Sequence, residues 1–214
     1  MSTRLHIQPI VEGHGEVQAV PVLLRRLIDQ ASAYEIEVGR PIRQKQSQLL
    51  REESLRTAVR LARMQRDCGA ILILFEQEDD CPKELGPRLC QWAQSEARDV
   101  PCTVVLAHRE YESWFLASME SLRGKRGIRN NAMSHPTPET VRDAKGAVGE
   151  RMESDYRYSE TTDQPALSAL FDMKATYIRS RSFRHLVKVF GDVLERMRGI
   201  PLDNWPPRAW IAEQ

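Results

Sequence analysis

An α/β domain with a mostly parallel sheet is the fold class this sequence predicts, and three observations carry that expectation. The apolar runs Leu5 to Val11, Ala70 to Phe75 and Cys102 to Ala107 have the length and continuity of strands buried on both faces. Segments with helical spacing alternate with them. The first two runs stop at acidic residues, Glu12-Gly13-His14-Gly15-Glu16 and Glu76 to Asp80. Open α/β sheets bind ligands at the carboxyl ends of their strands, where both acidic groups would lie.

Taken in order, the first strand leads into a turn that Gly13 and Gly15 keep tight and open to a close approach. Val17, Val20, Leu23, Leu24, Leu27 and Ile28 then share one helical face. Pro21 has no amide hydrogen, so the expected helix starts near Ala19, with the proline in its first turn. Tyr34 to Val38 alternates weakly and reads as an edge strand. Residues 51 to 66 predict a helix with Leu55, Ala58, Val59 and Ala62 inward and Arg56, Arg60 and Arg63 on a separate stripe. A helix from Glu84 to Ala97 follows the second apolar run, and the order strand, helix, strand, helix, strand favours parallel pairing.

After Leu122 the chain changes character. Arg123 to Pro138 has the glycines, asparagines and prolines of a loop or insertion. The remainder is helical in pattern, and Phe183, Leu186, Val187 and Phe190 give it a last apolar face. Trp205, in the irregular Asn204-Trp205-Pro206-Pro207, is expected to pack on the domain. The organisation is an α/β core over residues 1–122 and a loop with a helical extension over 123–214, packed on that core as a single domain.

With 214 residues, 41% hydrophobic and 29% charged, the composition is that of an ordinary soluble globular protein. A net charge of +1 supplies no global field toward nucleic acid, so such binding would need local patches. No apolar stretch approaches the roughly 20 residues that span a bilayer. The beginning lacks the order of a secretory signal, and Cys68, Cys81, Cys90 and Cys102 show no CxxC spacing. These features predict a cytoplasmic protein with reduced thiols and no membrane contact.

The acidic residues carry the chemistry. In an extended segment Glu76, Glu78 and Asp80 project to one side, and their carboxylates would repel unless a cation neutralised them. With Glu12 they offer hard oxygen ligands suited to Mg²⁺ or Mn²⁺, and the alternative is a solvated acidic loop. Glu16 reads as a metal ligand, a supporting group or a charge near a helix N-terminus. Glu112 could complete the metal site or cap the helix carrying Trp114. His14 could contact phosphate or serve as an acid, or be only a polar surface residue. Two regions are locally basic, with eight Lys/Arg in 40–66 and seven in 174–198. From these, Arg179, Arg181, Arg184 and Lys188 are candidate contacts to a nucleic-acid backbone, with Lys83 and Lys145 as further candidates. Ser180-Arg181-Ser182 has the donors of a phosphate clamp, although charge-rich helices are usually only solvated.

Val11-Glu12-Gly13 and the later acidic triplet resemble the Toprim domain of topoisomerases, primases, OLD-family nucleases and RNase M5-type maturases. More closely, the chain resembles a bacterial Toprim-like family of unassigned function, domain of unknown function 4276. The resemblance is carried by Val11 to Glu16, Asp79 to Gly86, Glu112-Ser113-Trp114-Phe115, Asp163-Gln164-Pro165-Ala166-Leu167 and Ser180-Arg181-Ser182-Phe183. It implies a Toprim/Rossmann-like sheet and a Mg²⁺- or Mn²⁺-dependent nuclease acting on DNA or RNA. Glu12, Glu76, Glu78 and Asp80 would be catalytic, with Glu16 and Glu112 as further ligands. It also implies a phage-defence effector beside an ABC-type ATPase, and leaves a homo-oligomer open. The chain departs from that family at Glu76, where aspartate is usual. The extra methylene would move a ligand by more than a catalytic site normally tolerates. That departure keeps a second expectation alive, a non-catalytic subunit that binds a nucleotide or a protein.

Overall fold

The computed structural model describes residues 4–77 and 82–211. The chain opens with β1 (His6–Val11) and turns into α1 (Glu16–Ala31). The short β2 (Glu37–Val38) and β3 (Ile42–Arg43) follow, then α2 (Gln46–Leu49) and α3 (Glu52–Arg63). Next come β4 (Cys68–Gln77), α4 (Pro82–Ala97), β5 (Cys102–His108) and α5 (Ser113–Leu116). Beyond two 3₁₀ turns lie α6 (Ala144–Gly149), α7 (Glu160–Ser168), α8 (Met173–Arg179), α9 (Arg181–Arg198) and α10 (Arg208–Ile211).

All the strand pairings within the sheet are parallel, in the order β2-β1-β4-β5, with β3 also on β1. Val11 pairs with Leu74 and Leu74 with Val105, while β4 and β5 run on together to the pair Gln77 and His108, three residues beyond the end of β1. Side chains alternate between two cores, as a sheet covered on both faces requires. Ile7, Val11, Leu72, Leu74, Val105 and Ala107 bury against α1 and α9, while Ile10, Ile71, Ile73, Phe75, Val104 and Leu106 bury against α3 and α4. Each of these valine, leucine, isoleucine and phenylalanine side chains contributes about 1.5–3 kcal/mol of burial, which makes the register hard to slip.

From β1 the chain leaves over one face to β2, and from β3 it returns over the other face to β4. The strand order therefore reverses between β1 and β4, the position where open α/β sheets form a crevice. The edge strand β5 is blunted by side chains rather than by another strand. Gln94 donates to the Cys102 carbonyl at 3.2 Å, Cys90 bonds the Val104 carbonyl, and Ser113 reaches that of His108 at 3.4 Å.

The second half of the chain belongs to the first half's core. Phe183, Leu186, Val187 and Phe190 of α9 are fully buried in the layer that covers β1, β4 and β5. Ser180 caps α9 by accepting the Phe183 N–H at 3.1 Å, and Gly199 ends it in the left-handed region at φ 69°. Trp205 packs as expected, donating its indole N–H to the Val187 carbonyl at 2.8 Å beside Phe190.

Two expectations need correction. Helix α1 begins at Glu16 rather than near Ala19, so Pro21 lies inside it. Backbone bonds from Val17 to Gly13 and from Ala19 to Gly15, with the Glu16 carboxylate on the turn, start the helix before the proline can set its boundary. The edge strand is reduced to Glu37–Val38, and β3, too short to show a period, was not foreseen. Cys68, Cys90 and Cys102 are free thiols, and Cys81 lies outside the described residues. Among the described residues no helix is long and apolar enough to cross a membrane.

Gly191 of α9 leaves no room for a side chain. A Cβ there would overlap the Trp205 indole. Gly191→Ala should therefore displace Trp205 and lower stability by about 1–3 kcal/mol in urea unfolding, with native tryptophan fluorescence shifted to the red.

Candidate functional site

The turn after β1 is built on a carboxylate. Glu16 is only 2% exposed, and its Oε2 accepts the backbone N–H of Glu12 at 2.9 Å and of Gly13 at 2.7 Å. From the first residue of α1 the carboxylate reaches back to two amide groups of the turn before the helix. It fixes the turn on which half-buried Glu12 and exposed His14 stand. Gly15 is required by its neighbours: a Cβ there would lie 2.6 Å from the Glu160 carbonyl and overlap the Gln164 amide.

At the next strand end, Glu76 reaches across to the loop after β5. Its Oε1 accepts the Tyr111 N–H at 3.0 Å and its Oε2 lies 3.2 Å from Lys145 Nζ. Beyond β5, Arg109 takes a left-handed φ of 69° while its N–H still bonds the Gln77 carbonyl at 2.9 Å. That turn leads into Glu110 and Glu112, both buried. Glu112 is fully enclosed, and its Oε1 accepts from Tyr158 Oη at 2.6 Å and Gln164 Nε2 at 3.0 Å. Glu110 Oε2 accepts the Lys145 backbone N–H at 2.7 Å. The Lys145 ammonium also lies 3.2 Å from Glu160 Oε1.

The electrostatics follow from this crowding. Burial pushes the Glu16 carboxyl up to about 8, with the charges of Glu76 and Glu12 adding to it against the two backbone donors. Burial and the Glu76 charge raise Glu112 in the same direction, opposed by the Tyr158 hydroxyl and Lys145. Burial also raises Glu110. For Lys145 burial works toward the neutral form, but Glu76, Glu112 and Glu160 outweigh it and hold the ammonium above its ordinary value.

The donor set fits a hard cation in its chemistry. It is all carboxylate oxygen, and Glu16 Oε1 and Glu112 Oε2 are buried with no hydrogen-bond partner among the described residues. It is not a finished cage. Among the described residues no group of three His, Cys, Asp or Glu side chains is placed to grip one ion, and both Glu76 oxygens are already engaged. Glu78 and Asp80, expected as further ligands, lie outside the described residues.

The candidate phosphate contacts divide. Lys83 is exposed in the first turn of α4, and Arg181 and Lys188 are exposed on α9. Arg179 instead donates to the Ala117 carbonyl at 2.7 Å, and Arg184 to the carbonyls of Tyr177 and Ile178 at 2.8 and 2.7 Å, so both tie the fold together. The Ser180-Arg181-Ser182 clamp is likewise engaged internally. Glu139 accepts from Ser180 Oγ and from the Ser182 N–H, each at 2.7 Å, and Trp114 Nε1 donates to Ser182 Oγ at 2.9 Å. On α3, Arg56 pairs with Glu52 at 2.7 Å and Arg60 with Glu96 at 2.8 Å. Lys145 faces carboxylates rather than open surface. Two surface clefts, of about 280 and 490 Å³, are not lined by the acidic cluster.

Sequence reasoning missed roles for Glu110, Tyr158, Glu160 and Gln164. Gln164 stood in a stretch that carried the family resemblance, which was the available signal. Tyr158 and Glu160 gave none, because only the docking of α7 on α1 brings them near the strand ends.

The buried acid gives a pH prediction. The folded Glu16 carboxyl keeps its proton to about 8 and an ordinary one to 4.5, so folding takes up a proton across that window and stability falls as pH rises through it. Metal-free Glu16→Gln, which keeps an acceptor for both turn N–H groups, should lose less stability between pH 5 and 8.5 than the parent chain. The slopes in urea unfolding should differ by up to about 1.4 kcal/mol per pH unit.

Comparison with known proteins gives one family model, described as a domain of unknown function, that matches residues 11–190. No curated protein and no solved structure matches the chain. The matched span runs from the end of β1 into α9 and so contains every carboxylate of the cluster. The chain belongs to that family, domain of unknown function 4276.

Proposed function

We propose that this chain is a Toprim-type nuclease that hydrolyses phosphodiester bonds in DNA or RNA with Mg²⁺ or Mn²⁺. The observation that carries the reading is the gathering of Glu12, Glu16, Glu76 and Glu112 where the strand order reverses, with buried oxygens left over on Glu16 and Glu112. A Toprim domain carries a glutamate after its first strand and an acidic motif after a later one, and Glu12 after β1 with Glu76 near the end of β4 support that reading.

A divalent ion would draw on the carboxylates of Glu12, Glu16, Glu76 and Glu112, although among the described residues no three of them are placed to grip one ion together. A bound divalent cation polarises a phosphodiester and lowers the pKa of an attacking water. The remaining work falls to the chain. Glu16 holds the turn that aims Glu12, so Glu12 can take a proton from a nucleophile or bind the ion. Tyr158 and Gln164 fix the Glu112 carboxylate. His14, Lys83, Arg181 and Lys188 remain exposed for phosphate oxygens. A cytoplasmic defence role beside an ABC-type ATPase extends the same reading.

A second reading, a nucleotide- or protein-binding subunit without catalysis, is favoured by one observation. Glu76 already has both oxygens engaged, by the Tyr111 N–H and by Lys145.

Labelled DNA and total tRNA incubated with Mg²⁺ or Mn²⁺ separate the two. The nuclease reading expects metal-dependent cleavage that falls about 10²-fold or more in Glu12→Ala, the size of a lost general base, at unchanged melting temperature. An inactive parent chain that still binds a nucleotide would establish the second reading.

A further inference from the structure

The acidic cluster already holds a cation. Lys145 is anchored at both ends, by its backbone N–H on Glu110 Oε2 at 2.7 Å and by its ammonium 3.2 Å from both Glu76 Oε2 and Glu160 Oε1. Its side chain is 29% exposed, so this is no freely solvated surface lysine. The attraction extends to Glu112, whose Oε2 has no hydrogen-bond partner among the described residues on a fully buried side chain. A second buried oxygen without a partner there, Glu16 Oε1, belongs to the turn after β1.

An ammonium and a divalent ion draw on the same carboxylate lone pairs and repel each other at close range. Two-metal sites accept such repulsion, with ions about 3.5–4 Å apart, because enough carboxylates surround both. Here one set of lone pairs is committed. We propose that the Lys145 ammonium is a resident cation of this centre, holding between Glu76 and Glu160 a position that a divalent ion would otherwise take. The inference rests on the metal reading above and refines it: the chain binds one divalent ion fewer than its carboxylates would accept without the lysine. Lys145 is thereby a positioning residue that sets metal number, and Glu160, outside the strand ends altogether, becomes part of the centre.

The number of Mn²⁺ ions bound per folded chain, read by electron paramagnetic resonance titration, tests this without reference to activity. Lys145→Met and Lys145→Gln should each bind one Mn²⁺ more than the parent chain, and Lys145→Arg the parent number. In circular dichroism melts without metal both neutral variants should be less stable than the parent, and Mn²⁺ should raise their melting temperatures by more. Neutral variants that fold only with Mn²⁺ would bear the proposal out as well. Equal Mn²⁺ numbers in the parent and both neutral variants would overturn it while leaving the metal reading intact. No Mn²⁺ bound by any of the four proteins would overturn the metal reading and this inference with it.

Discussion

A carboxylate taken out of water costs several kcal/mol unless it is protonated, hydrogen-bonded or paired, and neighbouring carboxylates raise that cost for one another. This chain buries Glu16, Glu110 and Glu112 and most of Glu76 at one end of its sheet, and each is compensated differently. Two turn N–H groups and a raised proton affinity serve Glu16. A tyrosine hydroxyl and a glutamine amide serve Glu112, and a backbone N–H with an ammonium serves Glu76. Tyr158, Gln164 and Lys145 all come from beyond residue 140. The helical extension therefore completes the acidic centre, and the α/β core alone would leave those charges exposed to each other.

Such compensation works only if the extension is held rigidly, and the packing below the centre supplies that. Tyr111 and Trp114 stack tilted at 4.7 Å, Trp114 meets Phe183 edge-on at 5.3 Å, and Phe171 bridges Phe115 and Phe183 at 5.7 Å. The polar tips are satisfied within the same cluster: Tyr111 Oη lies 2.8 Å from Ser168 Oγ, and Trp114 donates to Ser182. Tyr111 and Trp114 flank Glu112 in sequence. The residues that glue α7 and α9 to the sheet thus also fix where Glu112 points. This gives Ser182 and Trp114, which carry part of the family resemblance, a physical role that involves no ligand.

The sheet was legible because β4 and β5 contain continuous apolar runs and β1 alternates before turning apolar, and α3 and α9 because their apolar residues repeat at helical spacing. The two-residue strands β2 and β3 carry no period to read. The acidic strand ends were also legible, since a fold class fixes which ends of strands bind ligands. The places of Tyr158, Glu160 and Gln164 in the centre were not, nor that of Lys145, read only as a phosphate contact, because a side chain that reaches the site from a distant part of the chain leaves no local spacing. Local basic density misled in a related way. Arg56, Arg60, Arg179 and Arg184 look like a phosphate-binding surface as a list, yet acidic partners or backbone carbonyls engage all four.

Glu76, where the resemblance led us to expect aspartate, belongs to a local solution. Its carboxylate spans from β4 to the Tyr111 N–H on the next loop and, with its other oxygen, to the ammonium of Lys145 on α6. An aspartate would draw the carboxylate back by about 1.5 Å, one carbon–carbon bond, and could not keep both contacts at their present lengths. The longer arm and the inward-facing lysine therefore belong together. An aspartate would leave the Tyr111 N–H or the Lys145 ammonium without its acceptor, with its own charge nearer β4. On this argument residue 76 does not simply weaken a metal ligand. It divides one carboxylate between the loop that positions Glu112 and the cation that offsets it, so the chemistry of the centre depends on residues 76 and 145 as a pair.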